Sequence, residues 1–130
     1  MAAPTKRIGK EAYRAYLKKA IELYDTMLDA YRQERWTAAI VCAVHCAITA
    51  ADAIVVSKIG GISASKDHRD AVRLLESLGA EARERAKHLG WLISVKSSAE
   101  YGVTTFTRSD AEQAVKHADR LYKWVLSQLT

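Results

Sequence analysis

One proline and six glycines in 130 residues leave little to interrupt a helix. The proline is Pro4, close to the N-terminus. Two cysteines, Cys42 and Cys46, have neither the count of a disulfide framework nor the spacing of a zinc site. His45 adds a nitrogen beside them, but about 100° of helical rotation separates it from Cys46. The thiols therefore read as small buried side chains, and no metal or cofactor is expected. No Gly-rich phosphate loop, Ser-His-Asp order or carboxylate-dyad spacing occurs, which leaves classical nucleotide hydrolysis and acyl transfer without support. Apolar and polar residues do not alternate convincingly outside the short piece Gly102 to Thr107, so strands are not expected. The N-terminus has no apolar segment of the secretory type, and the expected compartment is the cytoplasm.

What the chain does have is residues 36–56, WTAAIVCAVHCAITAADAIVV, apolar almost throughout. Ala39, Ala43, Ala47 and Ala51 fall on one stripe of a helix, because residues four apart lie above one another. Trp36, Ile40, Val44, Ile48 and Val55 make a bulkier stripe beside it. A helix apolar nearly all round is buried or spans a membrane. His45, Thr49 and Asp52 argue against spanning, since a central aspartate costs about 2.5–3.5 kcal/mol on insertion. The helix is expected at the centre of one domain covering residues 1–130, with no membrane partner. Its apolar surface looks larger than a small bundle covers, which points to a homodimer.

Five helices are read from the spacing. The first runs from about Lys10 to Gln33, with Leu17, Ala20, Ile21, Tyr24, Met27, Leu28 and Tyr31 on its apolar face. The second runs from about Glu34 to Lys58 and stops at Gly60-Gly61. Ser63 to Lys66 read as a polar loop, with Ser65 the N-cap of a third helix through Leu78. The fourth spans about Glu81 to Glu100. Ser109 and Glu112 form a capping box for the fifth, which runs to about Gln128. The fold class is all-α, an antiparallel bundle of four to five helices. The net charge of +5 is concentrated in residues 1–19, where six basic residues face Glu11 alone. Residues 1–9 are expected to form a flexible basic tail.

The order of parts resembles a HEPN domain (higher eukaryotes and prokaryotes nucleotide-binding) from about residue 13 to residue 129. The resemblance is carried by Trp36-x-x-Ala39 opening an alanine-rich helix, a Gly-Gly loop, and Asp67-His68 at the head of the third helix. Ala99-Glu100-Tyr101 at the end of the fourth and a Thr-rich loop before the last helix complete it. It implies a helical bundle that commonly forms a homodimer. It further implies either a metal-independent RNase of toxin or defence type, or a non-catalytic module. Such a module binds RNA, a nucleotide or a nucleotidyltransferase-type protein partner.

The family's RNase motif is an arginine, four to six residues, then a histidine, and Arg83 and His88 match that spacing. The histidine would move a proton and the arginine would hold the scissile phosphate. Five helical steps turn the two side chains about 140° apart, so convergence needs two subunits. The family often places an arginine three before the alanine of the Ala-Glu-Tyr segment; here that residue is Lys96. His68, Arg69 and Arg73 open the third helix, where unpaired N–H groups favour an anion. With Lys96 they are the expected phosphate or RNA contacts. His45, Thr49 and Asp52 fall within about 60° on the second helix and read as a hydrogen-bonded structural strip. Lys96 and Glu100 read as an exposed i,i+4 pair worth a few tenths of a kcal/mol, and Tyr101 as a packing residue. The leading functional expectation is a non-catalytic module; an RNase using Arg83 and His88, or a dimerisation module, are the alternatives.

Overall fold

The computed structural model describes residues 5–130. A strand β1 (Thr5–Arg7) and one 3-10 turn (Lys10–Ala12) lead into α1 (Tyr13–Arg32) and α2 (Trp36–Ile59). A second strand β2 (Gly61–Ser63) precedes α3 (His68–Glu76), α4 (Ala80–Tyr101) and α5 (Arg108–Leu129). The all-α bundle read from the sequence is therefore the fold, with one small two-stranded sheet added.

α2 is the axis and packs against each of the other helices. All four alanines of its stripe are buried, as are Ile40, Val44 and Val55, while Trp36 and Ile48 pack against this core from its edge. Small side chains let the neighbouring helices approach closely, and dispersion contacts then accumulate along the seam. α2 is long and apolar enough to cross a membrane, yet two thirds of its most apolar stretch is buried within the bundle. Among the described residues, the large apolar side chains left exposed are Ile21, Ile59, Tyr101 and Val103.

Side-chain contacts fix the helix directions. Glu81 meets Trp124 and His88 meets His117, so α4 and α5 run antiparallel. Tyr31 packs on Trp36 and the Ala20 carbonyl accepts from Cys46, which sets α1 antiparallel to α2. Tyr24 of α1 stacks on Tyr122 of α5 at 4.1 Å and donates to Asp119 at 2.5 Å.

Four local expectations are corrected. Residues 5–9 are not a loose tail: β1 pairs antiparallel with β2, Thr5 opposite Ser63 and Arg7 opposite Gly61, and Ile8 and Gly9 both donate to the Gly60 carbonyl. Residues 1–4 of the expected tail lie outside the described residues. A Cβ at Gly61 would stand 2.8 Å from the Lys6 carbonyl oxygen, so glycine is what lets the two strands meet. Gly61–Ser63 is correspondingly a strand where none was expected, and Ser63 is the one residue of the expected Ser63–Lys66 loop that it takes. Ser65 is not the cap of α3; Asp67 is, accepting from Arg69 N at 2.9 Å, while Ser65 Oγ accepts from Asp67 N. The capping box of α5 lies two residues earlier than expected. Thr107 Oγ1 accepts from Asp110 N and Asp110 Oδ2 accepts from Thr107 N.

Candidate functional site

The head of α3 and the last turns of α4 enclose a shallow groove. Lys66, Asp67, His68 and Arg69 form one wall; Ile93, Ser94, Lys96, Ser97 and Tyr101 form the other. Three of the four expected phosphate contacts, His68, Arg69 and Lys96, meet here. Arg73 does not: it lies outside this lining and pairs with Asp70 one turn back on α3. Lys66 is an addition that sequence spacing did not single out, and Tyr101, expected as a packing residue, joins the lining.

The groove rests on a three-residue hydrogen-bonded network that ties α4 to α2. Lys96 Nζ donates to Glu100 Oε2 at 2.7 Å, and His45 Nε2 donates to Glu100 Oε1 at 2.6 Å. The Lys96 side chain is only 20% exposed and that of Glu100 12%, so this is not the weak surface pair expected from the spacing. The Lys96 ammonium, then the His45 ring, hold the Glu100 carboxyl below its usual range. His45 is thus tied to α4, through Glu100.

Tyr101 reverses its expected role. It is 78% exposed, with Lys96 Nζ 5.9 Å from its ring centroid. The residue before it, Glu100, turns inward, and one helical step of about 100° carries Tyr101 to the solvent side. The His68 ring is half-buried, and burial with the nearby Lys96 and His45 holds its pKa below the ordinary 6.5, so it is uncharged at neutral pH. Arg69 is held by Asp67 through Nη2 at 3.0 Å and Nε at 3.2 Å. Lys66 is exposed and takes part in none of the ion pairs among the described residues.

Arg83 and His88 do not meet within the subunit. Arg83 is exposed, whereas His88 turns toward α5 and places Nδ1 2.9 Å from Nδ1 of His117. The arginine on His88's side of the helix is Arg85. The cysteines make no reactive centre: burial pushes the Cys46 thiol up to about 12, and its Sγ donates to the Ala20 carbonyl at 3.6 Å.

Asp52, the last of the α2 strip, is held up to about 6 by burial. An acid whose folded pKa exceeds its unfolded value binds more protons when folded. Its contribution is complete below the unfolded value near 3.8 and is lost as pH rises through about 6. Asp52→Asn should therefore raise stability at pH 7 by about 1–2 kcal/mol and show no gain near pH 4. Urea unfolding at the two pH values checks this; an equal effect at both would remove the buried charge as the cause.

An antiparallel helical bundle with a basic, aromatic-edged groove between two of its helices defines the class. The chain belongs to the HEPN domain family, whose model matches residues 13–128, nearly the whole length. It is thus a helical module of the nucleotide- and RNA-related kind. No curated protein shows significant similarity to the chain.

Proposed function

We propose that the chain binds RNA or a nucleotide phosphate through the α3–α4 groove, without catalysis of its own. The observation that carries this is the meeting of Lys66, His68, Arg69 and Lys96 with the exposed ring of Tyr101 over the apolar Ile93. Phosphates gain from the basic wall, and an exposed aromatic ring stacks any base without reading its sequence. Lys96 is held by Glu100 and Arg69 by Asp67, so Lys66 is the cation most available to a phosphate. Catalysis by Arg83 and His88 would need a second copy of the chain to bring the two together.

The test is fluorescence anisotropy with a labelled single-stranded RNA across a salt series. Tyr101→Ala should weaken binding by about 1–3 kcal/mol, the usual loss of one stacked base. Lys66→Ala should lower the salt slope by about one. Affinity should rise on acidification, because a bound phosphate favours the protonated form of His68, which is neutral at pH 7. Salt-insensitive binding, or binding indifferent to both substitutions, would overturn the reading. RNA cleaved by the wild type but not by His88→Ala would favour the RNase instead. Failure to bind RNA or nucleotide, with a stable dimer in sedimentation, would leave the dimerisation module.

A further inference from the structure

The two-stranded sheet fixes where the net charge of the chain sits. Lys6 and Arg7 lie on β1, Lys10 in the 3-10 turn, and Arg14, Lys18 and Lys19 on α1, all of them exposed. None of these six cations joins an ion pair among the described residues, although α3, α4 and α5 each hold cations in such pairs. Arg14 and Lys18 stand one above the other on α1, and Lys10 precedes Arg14 by one turn. Like charges at this spacing destabilise a helix, and an anion laid along them relieves the repulsion.

The acids nearby do not cancel the row. Glu11 is folded back on Gly9, where a Cβ would stand 2.7 Å from its Oε1. Asp52 of α2 acts on Tyr16, about 200° round α1 from Arg14, and Asp25 acts on Tyr122 and Cys46. Glu22 is the acid that reaches the row. The side chains that end α5, Ser127 to Thr130, are uncharged, and its carbonyl end adds a partial negative charge. Two carboxylates, Glu11 and Glu22, thus stand among six cations.

Arg14 and Lys18 border a shallow groove floored by Leu17, Ile21 and Leu129, while Arg7 and Lys10 border a second beside Gly60-Gly61. Leu17 and Leu129 are half-buried below the charged side chains, out of reach of a flat bilayer but open to a thin, flexible polyanion. β1 brings these grooves toward the one between α3 and α4. Thr5 is opposite Ser63, and Lys66 follows Ser63 by three residues, at most about 11 Å of chain.

We propose that this N-terminal basic surface carries the continuation of an RNA single strand held in the α3–α4 groove, so that the preferred ligand is a polynucleotide rather than a free nucleotide. The inference rests on the proposed role of that groove. The groove takes a phosphate at Lys66 and a base on Tyr101. The strand then passes β1, where Lys6 and Arg7 meet further phosphates, and runs along Lys10, Arg14 and Lys18 over the apolar floor. Backbone charge carries this part of the path, so it is blind to base order.

Fluorescence anisotropy with single-stranded RNA of about 4 and about 12 nucleotides, each over a salt series, tests the path. In the wild type the longer strand should bind more tightly and with the steeper slope. Lys10→Ala/Arg14→Ala/Lys18→Ala should lower the slope of the longer strand by about two, at roughly 0.7 per phosphate contact, and weaken it about tenfold at about 50 mM salt. The shorter strand should not respond. Lys87→Ala/Lys116→Ala/Lys123→Ala removes the same net charge from cations held in ion pairs, and should leave the slope nearly unchanged. All six replaced side chains are exposed, so the melting points should stay near that of the wild type. An N-terminal variant that binds the longer strand as well as this control does, or a short strand weakened as much as the long one, overturns the proposal. Loss with Lys66→Ala but not with the N-terminal variant would overturn the path and spare the groove. Loss with the N-terminal variant alone would overturn the groove reading and the continuous path with it. Tighter capture by phosphatidylglycerol vesicles than by RNA, abolished in the N-terminal variant, would overturn the RNA assignment in favour of an anionic membrane.

Discussion

Lys96→Met should lower the stability of the folded chain by about 2 kcal/mol, below the usual 3–5 for a fully buried pair because both groups retain some contact with water. The loss comes less from the lysine than from what it leaves behind. Glu100 keeps its charge, sits 12% exposed under the end of α4, and is left with His45 as its remaining partner. For a chain of this length each kcal/mol moves Tm by roughly 3–5 °C, so the melting point should fall by about 6–10 °C. The double variant Lys96→Met/Glu100→Leu should recover most of the loss, since it removes the stranded charge along with its partner. The effect of Lys96→Met should also fade in acid. A carboxyl held low in the fold stabilises above its unfolded pKa, and that contribution goes as pH falls through the folded value. Equal melting of wild type and Lys96→Met near neutral pH would show that the pair is no more than surface decoration.

That pair shows where sequence reading stops. The i,i+4 spacing of Lys96 and Glu100 is plain in the chain, but their burial depends on His45, which is 55 residues from Glu100. The helices were legible because alanine every fourth residue on α2, and three-four spacing on α1 and α5, are local signals. The strand β1 has three residues, too few for any period to show, and it forms because Gly60 and Gly61 bring a partner alongside. The start of α5 offers two overlapping frames of the capping pattern, Thr107 with Asp110 and Ser109 with Glu112. The extended backbone at Thr107 selects the first. Trp124 was not expected inside, yet it is buried, with its indole N–H on Glu81 at 2.6 Å; that acceptor lies 43 residues away. The two histidines of the α4–α5 seam share an equally weak signal. The contact of His88 with His117 joins residues 29 apart and is visible only once α4 and α5 are known to run antiparallel.

Leu89→Ala should be the most damaging single substitution in α4, at about 3–4 kcal/mol, with a fall in Tm of roughly 10–15 °C. The buried residues of α4 are Ala82, Ala86, Leu89, Leu92 and Ala99, so two leucines supply its large apolar side chains in the core. Deleting one leaves a cavity that its surroundings cannot close. α2 is held in place by α1 and α5, and many of its buried side chains are alanines with nothing to extend into the gap. α4 itself is tied at one end by Glu100 to His45 and at the other by Glu81 to Trp124, so it cannot slide inward to compensate. Ile21→Ala, at an exposed site on α1, should change stability by no more than about 0.5 kcal/mol and serves as the comparison. Ala47→Leu makes the opposite error, forcing added methylenes into a seam closed around a methyl group, and should cost about 1–3 kcal/mol. Urea midpoints with unchanged slopes would measure all three. If Leu89→Ala cost no more than Ile21→Ala, the first half of α4 would not be anchored on α2, and the seam that places His88 against His117 would lose its footing.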